Sequence, residues 1–320
     1  MKKALLAVVL IVFIAGSLII TFNYIPKMLN PPSEENVPSK EHSSSEFQKE
    51  DETKQYVELN ADLYSNGGQW MRDSETDLPL YEGTMSYAVS NYGTATADSI
   101  EVTIQIDGVV FKQFSLLSLA PYDSSTGKFS ISIDYDDSKQ ILLSASCQES
   151  EDADTLTVDA ILPRVFDSGI AKLYITPKDP VIEQTLGNII KNPILPDWIE
   201  IRDWIGNNIE YEYDDETHGV SEYWQLPRET LSLGKGDCED FSILLCSLYR
   251  AVGWNNDEVY VVLGEKDEGH HAWVKLDVDI IGWQNIEPQY DGWNTIIGDF
   301  FALSGYDAKY NFNDVYLKNI

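Results

Sequence analysis

Cys238 stands where a thiol could do chemistry. It follows the turn Leu233-Gly234-Lys235-Gly236-Asp237, after which Phe241, Leu244, Leu245, Leu248, Tyr249 and Val252 recur at helical spacing. Asp237 is a suitable N-cap, Glu239 and Asp240 fall in a first turn, and Gly253 is a natural stop, so an amphipathic helix opening at Cys238 is predicted. A thiol there meets free amide donors and the positive end of the helix dipole. Both favour the thiolate, the form that attacks carbonyl carbons. The flanking acids act the other way and raise the thiol's pKa, so a partner base is needed.

His271 supplies one. The stretches HAWVKLD (271–277) and GWQNIE (282–287) both alternate and read as a hairpin. With its turn centred on Asp279, His271 faces Glu287, Trp273 faces Asn285 and Lys275 faces Trp283. Side chains so paired lie roughly 5 Å apart at Cβ, and a carboxylate there fixes the imidazole tautomer and stabilises its protonated form. His270 points to the other face. A lone cysteine is ordinarily core, and the remaining two read that way: Cys147 lies in a strand, and Cys246 is about 80° round the helix and about 12 Å along it from Cys238, too far to bridge.

These groups need a scaffold, and 320 residues suggest two folded units with connecting segments. Residues 1–30 contain an uncharged run, Ala4 to Phe22, behind Lys2 and Lys3. It is longer than the apolar core of a cleaved signal, which predicts an uncleaved single-pass anchor in the cell membrane with the body outside. Residues 31–55 are rich in Pro, Ser and charge and read as a tether. Residues 56–164 hold seven short alternating runs: YVELNADLY, TMSYAVSN, SIEVTIQI, VVFKQFSL, KFSISI, ILLSASC and LTVDAIL. With Asp107-Gly108 as a hairpin turn, they predict a β-sandwich. Residues 165–320 turn to helices followed by strands, with Pro193 to Glu210 placing Trp198, Ile201, Ile205 and Ile209 at helical spacings on one face. The class is α+β.

Lys and Arg number 22 against 53 Asp and Glu, a net charge of −31, which excludes a phosphate-binding footprint and hence nucleic acid as a partner. Three scattered cysteines give no disulfide framework. Four histidines and no CxxC pair give no zinc site, and Asp214, Asp215, Glu216 and His218 read as a solvated loop, so neither metal nor cofactor is expected.

The blocks WQLPRETLSLGKGDCEDFSILLCSLYRAVGW, HHAWVKL and WQNIEP, within Trp198 to Trp293, resemble the core of the transglutaminase-like superfamily. That resemblance implies a papain-like fold with Cys238 as nucleophile, His271 as base and Glu287 as orienting acid, although many members carry Asp at the last position. It implies hydrolysis of a peptide, amide or isopeptide bond through a thioester, in a protein, peptide or cell-wall substrate. Cross-linking acyl transfer and a catalytically silent surface-binding module are the alternatives. Upstream of the nucleophile, Trp224 or Gln225 could assist the Cys238 amide in stabilising an oxyanion. Val89 to Gly108 resembles the adhesion-type immunoglobulin-like modules of microbial surfaces.

Overall fold

The computed structural model describes residues 54–190, 196–266, 269–278, 281–289 and 305–320. The expected anchor and nearly all of the tether lie outside these residues. Among the described residues no helix is long and apolar enough to cross a membrane.

All seven alternating runs form strands: β1 (Leu59–Arg72), β2 (Pro79–Asn91), β3 (Ala97–Ile106), β4 (Val109–Leu119), β5 (Ser124–Asp134), β6 (Asp137–Ser146) and β7 (Glu151–Ala160). They make two antiparallel sheets, β1-β2-β5 and β4-β3-β6-β7. Inward residues such as Met85, Val89, Ile100, Val102, Ile104, Ile133 and Ile141 are fully buried between them. Asp107 and Gly108 both take left-handed φ, 50° and 78°, as a two-residue turn between β3 and β4 requires. Cys147 falls just beyond β6 instead of within a strand. Its N–H donates to the Ser150 carbonyl in a turn, and its side chain is only partly buried against the sandwich core.

The second half opens with α1 (Pro180–Ile189), whose Asp179 cap accepts from the Val181 N–H at 3.0 Å, followed by α2 (Asp197–Asn208). A two-residue strand β8 (Glu210–Tyr211), a single turn α3 (Asp214–Thr217), α4 (Pro227–Leu233) and β9 (Lys235–Gly236) lead to α5 (Cys238–Val252). Next come β10 (Val259–Lys266), β11 (Gly269–Val278), β12 (Gly282–Ile286), β13 (Tyr306–Phe312) and β14 (Leu317–Asn319), in the order β12-β11-β10-β13-β14. Helix α5 has the expected bounds but is more than one-sided: every residue from Glu239 to Tyr249 is buried, between α1, α2 and α4 and strands β10 and β11. Its polar face survives burial because the Ser242 and Ser247 hydroxyls donate to the Cys238 and Ile243 carbonyls within the helix.

The β11–β12 hairpin forms in a register two residues from the expected one. Lys275 pairs with Asn285 and Val278 with Gly282. Gly282 takes φ 78°, and the Ile281 N–H donates to the Val278 carbonyl, so the turn closes on the glycine that can adopt a left-handed conformation. A shift of two leaves every side chain on its original face.

The two halves are tied across a polar seam. Arg72 of β1 donates to the Ile175 and Lys172 carbonyls, and Trp70 packs against both cores. Arg164 joins Asp136 of the sandwich to Glu229 of α4, and its backbone carbonyl accepts from Trp224. The Arg164 side chain is 11% exposed and bridges two part-exposed carboxylates, so Arg164→Ala removes their shared cation and the tie between the halves. The expected cost is about 2 kcal/mol, read as a lower midpoint in urea with an unchanged m-value.

Candidate active site

Strands β8 and β9 place Cys238. Their parallel pairing sets Tyr211 beside Gly236, and the Glu212 N–H donates to the Gly236 carbonyl at 3.0 Å. A Cβ at Gly236 would lie 2.7 Å from the Asp240 Cβ, so only glycine lets the chain pass this close before entering α5. Asp240, fully buried, accepts from the Gln225 N–H at 2.8 Å and from the Asp237 N–H at 3.3 Å, tying the start of α5 to the Trp224-Gln225 segment.

Across from α5, β11 brings His271. Its Nε2 contacts the Glu287 carboxylate at 2.8 and 3.1 Å, so Nδ1 is the ring nitrogen turned away from that carboxylate. In the observed register His271 and Glu287 are diagonal neighbours, and the glutamate side chain is long enough to span the offset. Glu287 is 1% exposed and accepts further from Lys266 Nζ at 2.6 Å, Tyr306 Oη at 2.5 Å and Gln289 Nε2 at 2.8 Å. Burial alone would push its carboxyl up. The hydrogen bonds and charge of His271, with the donors on Lys266 and Tyr306, outweigh that and hold it below the usual range.

Cys238 and His271 line one cleft of about 480 Å³. The thiol is partly buried, donates to Glu239 Oε2 at 3.3 Å, and receives the Ala272 N–H. Burial pushes it up, the carboxylates of Glu239 and Asp237 push further, and only the Ala272 amide opposes them. These influences disfavour the thiolate, despite the group's place at a helix start. Cys246 is completely buried and also pushed up.

Trp224 reaches this cleft and Gln225 does not. Neither offers the side-chain donor expected for an oxyanion: the Trp224 indole N–H is given to Glu222 at 2.8 Å, and Gln225 Nε2 turns to His218 at 3.1 Å. His270, expected on the opposite face, is exposed at the rim of the same cleft. Asp291, the rival to Glu287 as orienting acid four residues further on, lies outside the described residues.

The acids are less solvated than their sequence suggests. Asp214 is 3% exposed, and ligand atoms of Asp214, Asp237 and Asp240 lie within 4.8 Å of one another, as do those of Asp237, Cys238 and Glu239. Where no metal site was expected, the first group offers hard oxygen donors of the kind that hold calcium or magnesium. Burial, then the charge of Asp237, pushes Asp214 up to about 6 against the pull of the Tyr223 N–H, and burial pushes Asp240 and Glu239 well above the usual range.

Residues 190–288 match the model of the transglutaminase-like superfamily. The C-terminal half carries a transglutaminase-like core. Residues 73–153, within the sandwich, match the CARDB model. Among solved structures, the CARDB domain of a Pyrococcus furiosus protein is similar at 18% identity, covering 34% of this chain and 99% of that one, with a TM-score of 0.28. Calcium-bound LapG of Legionella pneumophila is similar at 19% identity, covering 43% of this chain and 76% of that one, with a TM-score of 0.34. No curated protein matches the chain.

Around Glu287, sequence reasoning missed Lys266, Gln289 and Tyr306, the last two beyond the matched residues. Gln289 alone carried a local signal, two residues from Glu287 and so on the same side of an extended chain. The Asp214 environment yields a test. A carboxyl whose folded pKa is raised leaves the fold most stable below the unfolded value, near 3.9, and loses that stability as pH rises through about 6. Asp214→Asn keeps an acceptor for the Tyr223 N–H and removes the titration. In EDTA, the melting temperature of the variant relative to the unaltered protein should rise between about pH 4 and pH 6 and level off above. A constant difference across that range would contradict the assignment.

Proposed function

We propose that this chain is a membrane-anchored, extracytoplasmic cysteine hydrolase that opens a peptide, amide or isopeptide bond through a thioester on Cys238. The observation that carries the reading is that the Glu287-paired His271 and the Cys238 thiol at the start of α5 line one and the same cleft. The matched transglutaminase-like core agrees with it.

In this scheme the substrate carbonyl lies over the Cys238 backbone N–H, at the N-terminus of α5, where the negative charge of the tetrahedral intermediate is stabilised. His271 Nδ1 takes the thiol proton as the sulfur attacks, because the surroundings of the thiol disfavour a thiolate formed beforehand. Glu287 on Nε2 stabilises the imidazolium and fixes its orientation. The imidazolium then gives its proton to the departing amine, leaving the acyl group on sulfur. Water, deprotonated by the same Nδ1, releases the acid and restores the thiol.

Turnover of a peptide and cell-wall amide library should vanish in Cys238→Ala and fall by about 10²-fold or more in His271→Ala, with folding checked by circular dichroism. Glu287→Gln should retain partial turnover, since an acceptor oxygen remains for His271, with a lower melting temperature because Lys266 loses its counter-charge. Turnover surviving Cys238→Ala would overturn the scheme. The topology rests on Lys2 and Lys3 before the apolar run and the acidic body after it. Protease added to intact cells should digest the C-terminal half, and its protection would refute that placement.

A further inference from the structure

The walls of the cleft have a chemistry of their own. Tyr211 and Tyr213, 40% and 61% exposed, meet edge to face with ring centroids 5.5 Å apart, and Phe166 contacts Tyr310 at 4.9 Å. Between these rings the cleft presents the carboxylates of Glu222, Asp237, Glu239 and Glu265. Lys309, the lysine among the described lining residues, is already paired with Asp307. Glu239 is 6% exposed, and its Oε1 finds no hydrogen-bond partner among the described residues. Burial and the neighbouring Asp237 favour the protonated form of that carboxyl, which leaves the negative charge of the cleft to its exposed carboxylates, Glu222 and Glu265.

Aromatic faces combined with carboxylates select organic cations, because the ring quadrupole and the acids attract the same charge. Resting on the hydrolase reading above, we propose that the segment held here is a polypeptide carrying a lysine or arginine at, or next to, the residue whose carbonyl Cys238 attacks. The cationic side chain lies along Tyr211 and Tyr213, and the exposed carboxylates of Glu222 and Glu265 at the rim draw it in. The attraction is local to the cleft and does not come from the net charge of −31, most of which is spread over the rest of the chain.

Three thiol-directed peptidyl acyloxymethyl ketones, identical except for lysine, norleucine or glutamate before the warhead, test this. Peptide-level mass spectrometry gives the rate of Cys238 labelling by each. The lysine probe should outpace the glutamate probe by about tenfold, with norleucine between them, as expected if exposed ion pairs contribute about threefold each. The ratio should shrink at high salt. It should fall about threefold or more in the double variant Glu222→Gln/Glu265→Gln, in which the amide oxygen introduced at position 222 still accepts from the Trp224 indole. Asp159→Asn, an exposed position on the sandwich, should leave the ratio unchanged. Equal rates for the three probes, or a ratio unaltered in the double variant, would overturn the proposal. Uncharged iodoacetamide separates the two readings. If it labels Cys238 while the probes show no charge preference, only the cationic substrate is excluded. If neither it nor any probe labels Cys238, the nucleophile assignment fails. Calorimetric binding of the lysine and glutamate peptides, as amides, to Cys238→Ala then decides the preference of the cleft on its own: tighter lysine binding supports it, and equal binding excludes it.

Discussion

The buried carboxylate of Glu287 is the point on which the sheet converges. Lys266 reaches it from β10, His271 from β11, Gln289 from just beyond β12, and Tyr306 from β13. An ionised carboxylate removed from water survives only when its lone pairs are filled, and this one has a donor for each. The same contacts that keep it charged also fix the ends of neighbouring strands. The orientation of His271 is therefore not an independent feature of the site but a by-product of how the sheet satisfies one buried charge. The cation of Lys266 shares that charge, so only part of the field of Glu287 is available to an imidazolium.

On the other side of the cleft the electrostatics run the opposite way. Around Cys238 the acids outnumber the donors, and their proximity favours protonated forms of both the thiol and the carboxyls. The thiolate is disfavoured there, so in the proposed scheme the thiol proton leaves as the sulfur attacks. Such a thiol is slow toward small oxidants, which react with the thiolate, and this suits a group held partly open to solvent.

The helix at Cys238 was legible because cap, first-turn acids, apolar period and stop glycine agree with one another. The seven sandwich strands were legible for the same reason: alternation and turn residues pointed to one answer. The β11–β12 hairpin was legible in its faces but not in its register. Alternation defines a face to within two residues, whereas the register depended on Gly282 taking the left-handed turn position. Burial of Asp214 and Asp240 was not legible, because an acid near a turn ordinarily faces water and nothing local shows that Gln225 and Tyr223 will direct amides at them. Tyr306 was invisible to any hairpin argument, since β13 reaches Glu287 only through its pairing with β10. Gln225 stood near the nucleophile in sequence and turned away from the cleft, because its amide is tied to Asp240 and its side chain to His218.

The seam between the sandwich and the core has a directional consequence. Arg72, Arg164 and the carbonyls they hold lie on segments with little slack, and Trp70 belongs to both hydrophobic clusters at once. A flexible joint would let the cleft sample every bearing. A bolted one gives it a fixed compass heading relative to the strands of the sandwich, so that whatever grips the sandwich also aims the thiol.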